Sequence, residues 1–185
     1  MNKVDEPFNF ILHKVYDVSP ISEYVSMYDK EWTLNTMRQN TTIHHTKTFT
    51  YFINMFPIDW KPGNPYTPSF ECKDETLWSM IKPIIKDMEI NVDGSVGRVL
   101  LIKLGSNKNI TPHKDKGNYL LNARRFHLPI ITNPNVNFYV DGELKNLKVG
   151  ECWEINNAKE HMVINEGQTD RVHLLFDIIP GKFLP

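Results

Sequence analysis

Two periodicities divide the chain. Residues Gly97 to Pro180 carry short β-type runs, "GRVLLIKL", "RFHLPIIT", "VNFYVDGE", "ECWEINN", "EHMVIN" and "RVHLLFDII", punctuated by Gly105-Ser106-Asn107, Asn133-Pro134-Asn135, Asp141-Gly142, Asn156-Asn157 and Asn165-Glu166-Gly167. Ahead of them the spacing is helical. In "SPISEYVSMYDKEW" Ser19 is the expected N-cap and Pro20 the first helical residue, with Ile21, Tyr24, Val25 and Tyr28 forming an apolar stripe. A second helix is expected from Asp74 in "DETLWSMIKPIIKDMEI", with Leu77, Ile81, Ile84 and Met88 on one face and a bend at Pro83. Between the two helices, "MFPIDWKPGNPYTPSF" is too rich in proline for a helix or a central strand and predicts a surface loop of the kind that lines a site. Six or more short strands without intervening helices predict a mainly β fold, an antiparallel sandwich or barrel with flanking helices. The expected architecture is a double-stranded β-helix, the cupin-like jelly roll. Its core spans 96–180, and the helices and loops of 1–95 pack outside it in a single domain, 1–185.

The alternation carries chemistry where it departs from an ordinary core. In "RFHLP", Arg125 and His127 share one strand face, and Phe126 and Leu128 share the other. An inward Arg and His require a wet, anion-binding cavity inside the barrel. His113 and Asp115 stand two residues apart in "TPHKD", His161 opens "HMVIN", and Arg171 follows ten residues later. Two imidazoles and one carboxylate on one side of a metal, with the opposite positions open, form the ligand set of non-haem Fe(II) oxygenases. Arg171 then offers the planar, two-pronged cation that the far carboxylate of a chelating 2-oxoglutarate needs. With an odd-length connection between their strands, His161 and Arg171 face the same side of adjacent antiparallel strands, and His173 lies beside Arg171 by period two.

The order "H-x-D", "R-x-H-x-P", "VDGE…GECWEINN" and "H-x-V-x-N-x-G…R-V-H" resembles the aspartyl/asparaginyl β-hydroxylase family of 2-oxoglutarate- and Fe(II)-dependent oxygenases, which includes bacterial proline cis-hydroxylases. The resemblance covers roughly residues 95 to 180. It implies a dioxygenase using Fe(II), 2-oxoglutarate and O2, with iron on His113, Asp115 and His161. Arg171 is implied to bind the far carboxylate of 2-oxoglutarate, His127 its metal-side carboxylate, and Arg125 a carboxylate of substrate or cosubstrate. Asp115 is retained here, whereas the animal peptide hydroxylases of the family look as if they lack that ligand. This leans the comparison toward the small amino-acid hydroxylases. The implied activity is hydroxylation of an unactivated C–H bond, in an amino acid or in an aspartyl/asparaginyl-type residue of a peptide or protein. The alternatives are a free-proline-type hydroxylase of the same family and a non-catalytic jelly-roll metabolite-binding module.

Other residues have plainer readings. His173 either touches a substrate or is satisfied by a neighbouring carbonyl. His44 and His45 lie on a strand-like run, where a structural role is the better reading. Trp60, Trp78 and Trp153 read as core aromatics, and Asn156 and Asn157 as turn residues. Composition then excludes bulk recognition by charge: 21 Lys+Arg face 22 Asp+Glu over 185 residues, so neither nucleic acid nor an anionic membrane is an expected partner. Cys72 and Cys152 form neither a CxxC pair nor a disulfide framework. No run approaches the roughly 18 apolar residues of a membrane span, and a cytoplasmic address is the expectation.

Overall fold

The computed structural model describes residues 3–27, 47–54, 56–57, 59–65 and 74–185. His44, His45 and Cys72 lie outside the described residues. Ten strands are described: β1 (Phe10–Val15), β2 (Thr48–Asn54), β3 (Gly94–Leu104), β4 (Lys108–His113), β5 (Arg124–Ile131), β6 (Val136–Val140), β7 (Glu143–Lys145), β8 (Glu151–Ile155), β9 (His161–Asn165) and β10 (Arg171–Pro180). They pair antiparallel in two sheets, six-stranded in the order β1-β8-β5-β10-β3-β2 and four-stranded in the order β4-β9-β6-β7. This is the mainly β jelly roll expected from the strand pattern. No helix among the described residues is long and apolar enough to cross a membrane.

Alternation along the long strands decides which sheet face meets which layer. Val172, Leu174, Phe176 and Ile178 of β10, Phe126, Leu128 and Ile130 of β5, and Val99 and Leu101 of β3 form one buried cluster with Ile21 and Val25 of α1 (Ser19–Met27) and Leu77, Ile81, Ile84, Ile85 and Met88 of α2 (Glu75–Asn91). Phe126 and Phe176 stack here with ring centroids 5.1 Å apart, both without exposed surface. Truncating such a ring costs about 3–5 kcal/mol. The other face of the six-stranded sheet points at the four-stranded sheet. There Leu104, Ile155, Phe10 and Trp153 meet Ile110, Val136, Phe138, Val140 and Val163.

Several local readings hold. Asp74 caps α2 by accepting from the Leu77 N–H, and Pro83 lies inside the helix. Asp141 and Gly142, at φ 50° and 80°, make the two-residue turn of the β6–β7 hairpin. Trp60 and Trp153 are packing aromatics, Trp60 against Phe56 and Trp153 against Phe10.

Three expectations are corrected. Ser19 is the first residue of α1 rather than its cap, because the Asp17 carboxylate already accepts the Ser19 N–H at 2.9 Å. The segment ahead of residue 96 is not only helices and loops, since it supplies β1 and β2 to the six-stranded sheet. β1 is an edge strand whose side chains are half-buried or exposed throughout, so its alternation is not written in the sequence. Finally, β9 and β10 are not adjacent strands of one sheet. The link between them is tied to the end of β3 by Asn165, whose Nδ2 donates to the Gly105 and Thr169 carbonyls and whose Oδ1 accepts the Gly167 N–H. That anchored link crosses from one sheet to the other, and His161 and Arg171 belong to opposite sheets.

Candidate functional site

The two histidines meet because β4 and β9 are paired. His113 is the Cα partner of His161, after a register irregularity between Ile110 and His113 that accommodates Pro112. Their ring centroids lie 4.3 Å apart. Asp115 follows in the loop after β4, where its backbone N–H donates to the Asn157 carbonyl at 3.0 Å. One donor atom each from His113, Asp115 and His161 lies within 4.8 Å of the other two, a group that can hold a metal ion.

The surroundings prepare these groups as ligands. Nδ1 of His113 donates to the Thr111 carbonyl at 2.8 Å, and Nδ1 of His161 donates to the Lys159 carbonyl at 3.0 Å. A proton held on each Nδ1 makes Nε2 the nitrogen with a lone pair for a metal, and the carbonyl it bonds fixes the ring's orientation. Burial lowers the His161 pKa to about 4, with Asp115 opposing and His113 adding, so the ring is neutral at physiological pH. For Asp115 burial favours the neutral acid, but Arg125, His161 and the Asn157 amide outweigh it and hold the carboxyl well below the usual range. Two imidazole nitrogens and one ionised carboxylate suit a divalent ion of borderline hardness such as Fe(II).

Arg125 and His127 point inward from β5, as the alternation predicts, and their contacts differ. Arg125 donates from Nε and Nη2 to the two oxygens of Asp177 at 2.8 and 2.9 Å, and from Nη1 to Asp115. The anions it was expected to receive from a ligand are carboxylates of this chain. Asp177 also accepts from the Tyr119 hydroxyl at 3.0 Å and lies 3.4 Å from Nη2 of Arg98. Gly97 leaves room for this arrangement, since a Cβ there would sit 2.5 Å from the Tyr119 oxygen.

Arg171, His173 and His127 form a second inward group, at the β10–β5 boundary. Arg171 is 1% exposed and lies 6.0 Å from the Phe138 ring centroid, and its Nη2 donates to Nδ1 of His173 at 2.5 Å. Among the described residues it has no carboxylate partner, and its Nε, His127 Nδ1 and His173 Nε2 are buried without hydrogen bonds. Burial alone pulls the guanidinium down to about 9. The same burial, aided by the charge of Arg171, keeps His127 and His173 neutral, well below the ordinary histidine value. A buried cation and three orphaned polar atoms make a site that an anion with several acceptor oxygens would satisfy.

The sequence reading missed Asp177, Arg98, Asn157 and Lys3. Asp177 was visible as the charged residue that breaks the apolar end of "RVHLLFDII", in alternation with Arg171 and His173. Asn156 and Asn157 do follow β8 at a turn, but both are buried, and Asn157 donates to Asp115 at 2.9 Å.

A family model described as aspartyl/asparaginyl β-hydroxylase matches residues 71–180. No curated protein sequence matches the chain. Among solved structures, the viral collagen prolyl hydroxylase vCPH of Paramecium bursaria Chlorella virus-1, in a 2-oxoglutarate complex, superposes at TM-score 0.59 and 5% identity, covering 94% of this chain and 97% of that one. The non-heme monooxygenase ThoJ in a nickel complex gives 0.55 at 12% identity, covering 93% and 74%. An oxidoreductase of the 2OG-Fe(II) oxygenase family from Burkholderia pseudomallei gives 0.53 at 11%, covering 71% and 67%. At these identities the likeness is one of fold.

Proposed function

Since the chain belongs to the aspartyl/asparaginyl β-hydroxylase family and is a 2-oxoglutarate- and Fe(II)-dependent oxygenase, we propose that His113, Asp115 and His161 hold the iron and that Arg171 receives the far carboxylate of 2-oxoglutarate. The bound iron supplies the oxidising chemistry that inserts an oxygen atom into an unactivated C–H bond. The observation that carries this reading is the buried Arg171 guanidinium, without a counter-anion among the described residues, inside the same barrel as three convergent metal-type ligands.

The chain's own groups have separable tasks. The Thr111 and Lys159 carbonyls orient the two imidazoles, while Arg125 and Asn157 hold one oxygen of Asp115. His127 and His173, both neutral, offer ring nitrogens to the oxygens of 2-oxoglutarate. Phe138 packs beside His127 and Arg171, and Leu100 and Ile102 lie in a buried apolar cluster of the six-stranded sheet. The substrate is read as a free amino acid or an aspartyl/asparaginyl-type residue of a peptide. With Arg125 committed to Asp177 and Asp115, receiving a substrate carboxylate falls to Arg98, whose Nε is buried without a partner. The whole chain is read as one such domain.

The test is 2-oxoglutarate-dependent succinate release with Fe(II), alongside a mass screen for gain of one oxygen across free amino acids and Asp- and Asn-containing peptides. Asp115→Ala and His161→Ala are expected to abolish turnover. Arg171→Ala is expected mainly to raise the 2-oxoglutarate requirement. Wild-type succinate yield from His161→Ala would defeat the assignment.

A further inference from the structure

A 3-10 turn at Lys3–Asp5 docks against the loop that follows β8. Asn156 holds the turn's backbone, its Nδ2 donating to the Lys3 carbonyl at 2.8 Å. The Lys3 ammonium turns inward, donating to the Ala123 carbonyl and, at 2.5 Å, to Oδ1 of Asn157. Asn157, 1% exposed, uses its two Nδ2 protons on Oδ2 of Asp115 at 2.9 Å and on the Leu120 carbonyl at 3.0 Å. Its backbone carbonyl accepts the Asp115 N–H. The side-chain amide is thus polarised end to end, with a cation on its oxygen and a carboxylate on its nitrogen. Such aligned dipoles strengthen one another in a buried setting. Oδ2 of Asp115 carries hydrogen bonds from Arg125 and Asn157, whereas Oδ1 accepts none among the described residues.

We propose that Lys3 is a positioning residue for the iron site, acting through the Asn157 amide to hold Oδ2 of Asp115 so that Oδ1 faces the metal. This rests on the reading of Asp115 as a metal ligand. The competing explanation is that Lys3 only pins the turn in place. Asn156 separates the two, because it holds the same turn without touching Asp115.

The experiment is a Co(II) titration of the metal-stripped full chain, followed by the visible absorption of the bound ion. Asn157→Ala is expected to weaken Co(II) binding roughly 10–100-fold, the usual range for a group that orients a ligand. Lys3→Met is expected to weaken it about 5–10-fold, with Lys3→Arg restoring binding to within about threefold and Asn156→Ala leaving it unchanged. In the Asn157→Ala background, Lys3→Met should add nothing, because the connection is already cut. Thermal melting of the metal-free variants checks folding, and Lys3→Gln replaces Lys3→Met if the latter does not fold.

Binding by Lys3→Met equal to wild type overturns the proposal, as does an Asn156→Ala loss matching that of Lys3→Met. A Lys3→Met effect that multiplies with that of Asn157→Ala also overturns it. Failure of the wild type itself to take up Co(II) would instead sink the metal assignment on which the proposal stands.

Discussion

Two charged groups face the barrel interior, and they are built on opposite principles. Around Asp177, Arg125 and Arg98 are neutralised by the chain's own carboxylates, and every oxygen of Asp177 is engaged. Around Arg171 the cation is equally buried and, among the described residues, has no carboxylate partner and meets only the lone pair of a neutral histidine. The first group balances its charges as folded, with Nε of Arg98 the one buried nitrogen left over among the described residues, and serves to aim Asp115. The second costs folding energy that an anionic ligand would return. Buried charge by itself does not mark a binding site; buried charge without its counter-ion does.

Breaking the paired group should have the largest effect on stability. Asp177→Ala leaves two guanidiniums facing each other in a dry interior, and a loss of about 3–5 kcal/mol is expected in urea unfolding of the metal-free protein. A loss under about 1 kcal/mol would show that water already screens this cluster.

The unpaired group should respond with the opposite sign. Arg171→Met removes an uncompensated buried charge and keeps an apolar stem against Phe138, at the cost of one hydrogen bond to His173. The metal-free variant is expected to be as stable as wild type, or more stable by on the order of 1 kcal/mol. Its thermal midpoint should no longer rise when 2-oxoglutarate is added, whereas that of the wild type should. A destabilisation as large as that of Asp177→Ala would erase the distinction between the two groups.

How much of this contrast was legible beforehand depends on the range of the contacts involved. β3, β5, β6, β8, β9 and β10 declare themselves by period two and by Gly, Pro and Asn punctuation, both local signals. The ligand candidates and Arg171 were legible because polar residues at inward positions of apolar strands are costly without a task. Which arginine is paired was not legible, because Arg125 and Asp177 are 52 residues apart and meet only through the β5–β10 register. The sheet change between β9 and β10 was hidden for a similar reason. It depends on Asn165 reaching the end of β3, 60 residues away. Lys3 has no local pattern at all, and its partners come from β8's exit loop and from Ala123, the residue before β5.

A change of slope with pH, rather than of midpoint, sharpens the comparison last. His127 and His173 stay neutral in the folded protein well below the ordinary value of 6.5, first through burial and then through the charge of Arg171. In the unfolded chain they take up protons near pH 6.5. As pH falls below that value the unfolded state therefore binds more protons, and stability should decline by up to about 1.4 kcal/mol per pH unit for each histidine. The carboxylates act lower: Asp115 and Asp177 have depressed pKa values, so the stability they lend is lost only on descending below about 3.8. Urea midpoints of the metal-free protein between pH 6.5 and 4.5 should therefore slope downward, and His173→Gln should make that slope shallower. Arg171→Met should also flatten it, because it removes the cation that helps keep both rings neutral. An unchanged slope in both variants would mean that the acid sensitivity lies elsewhere, and that the Arg171 group is not the uncompensated one.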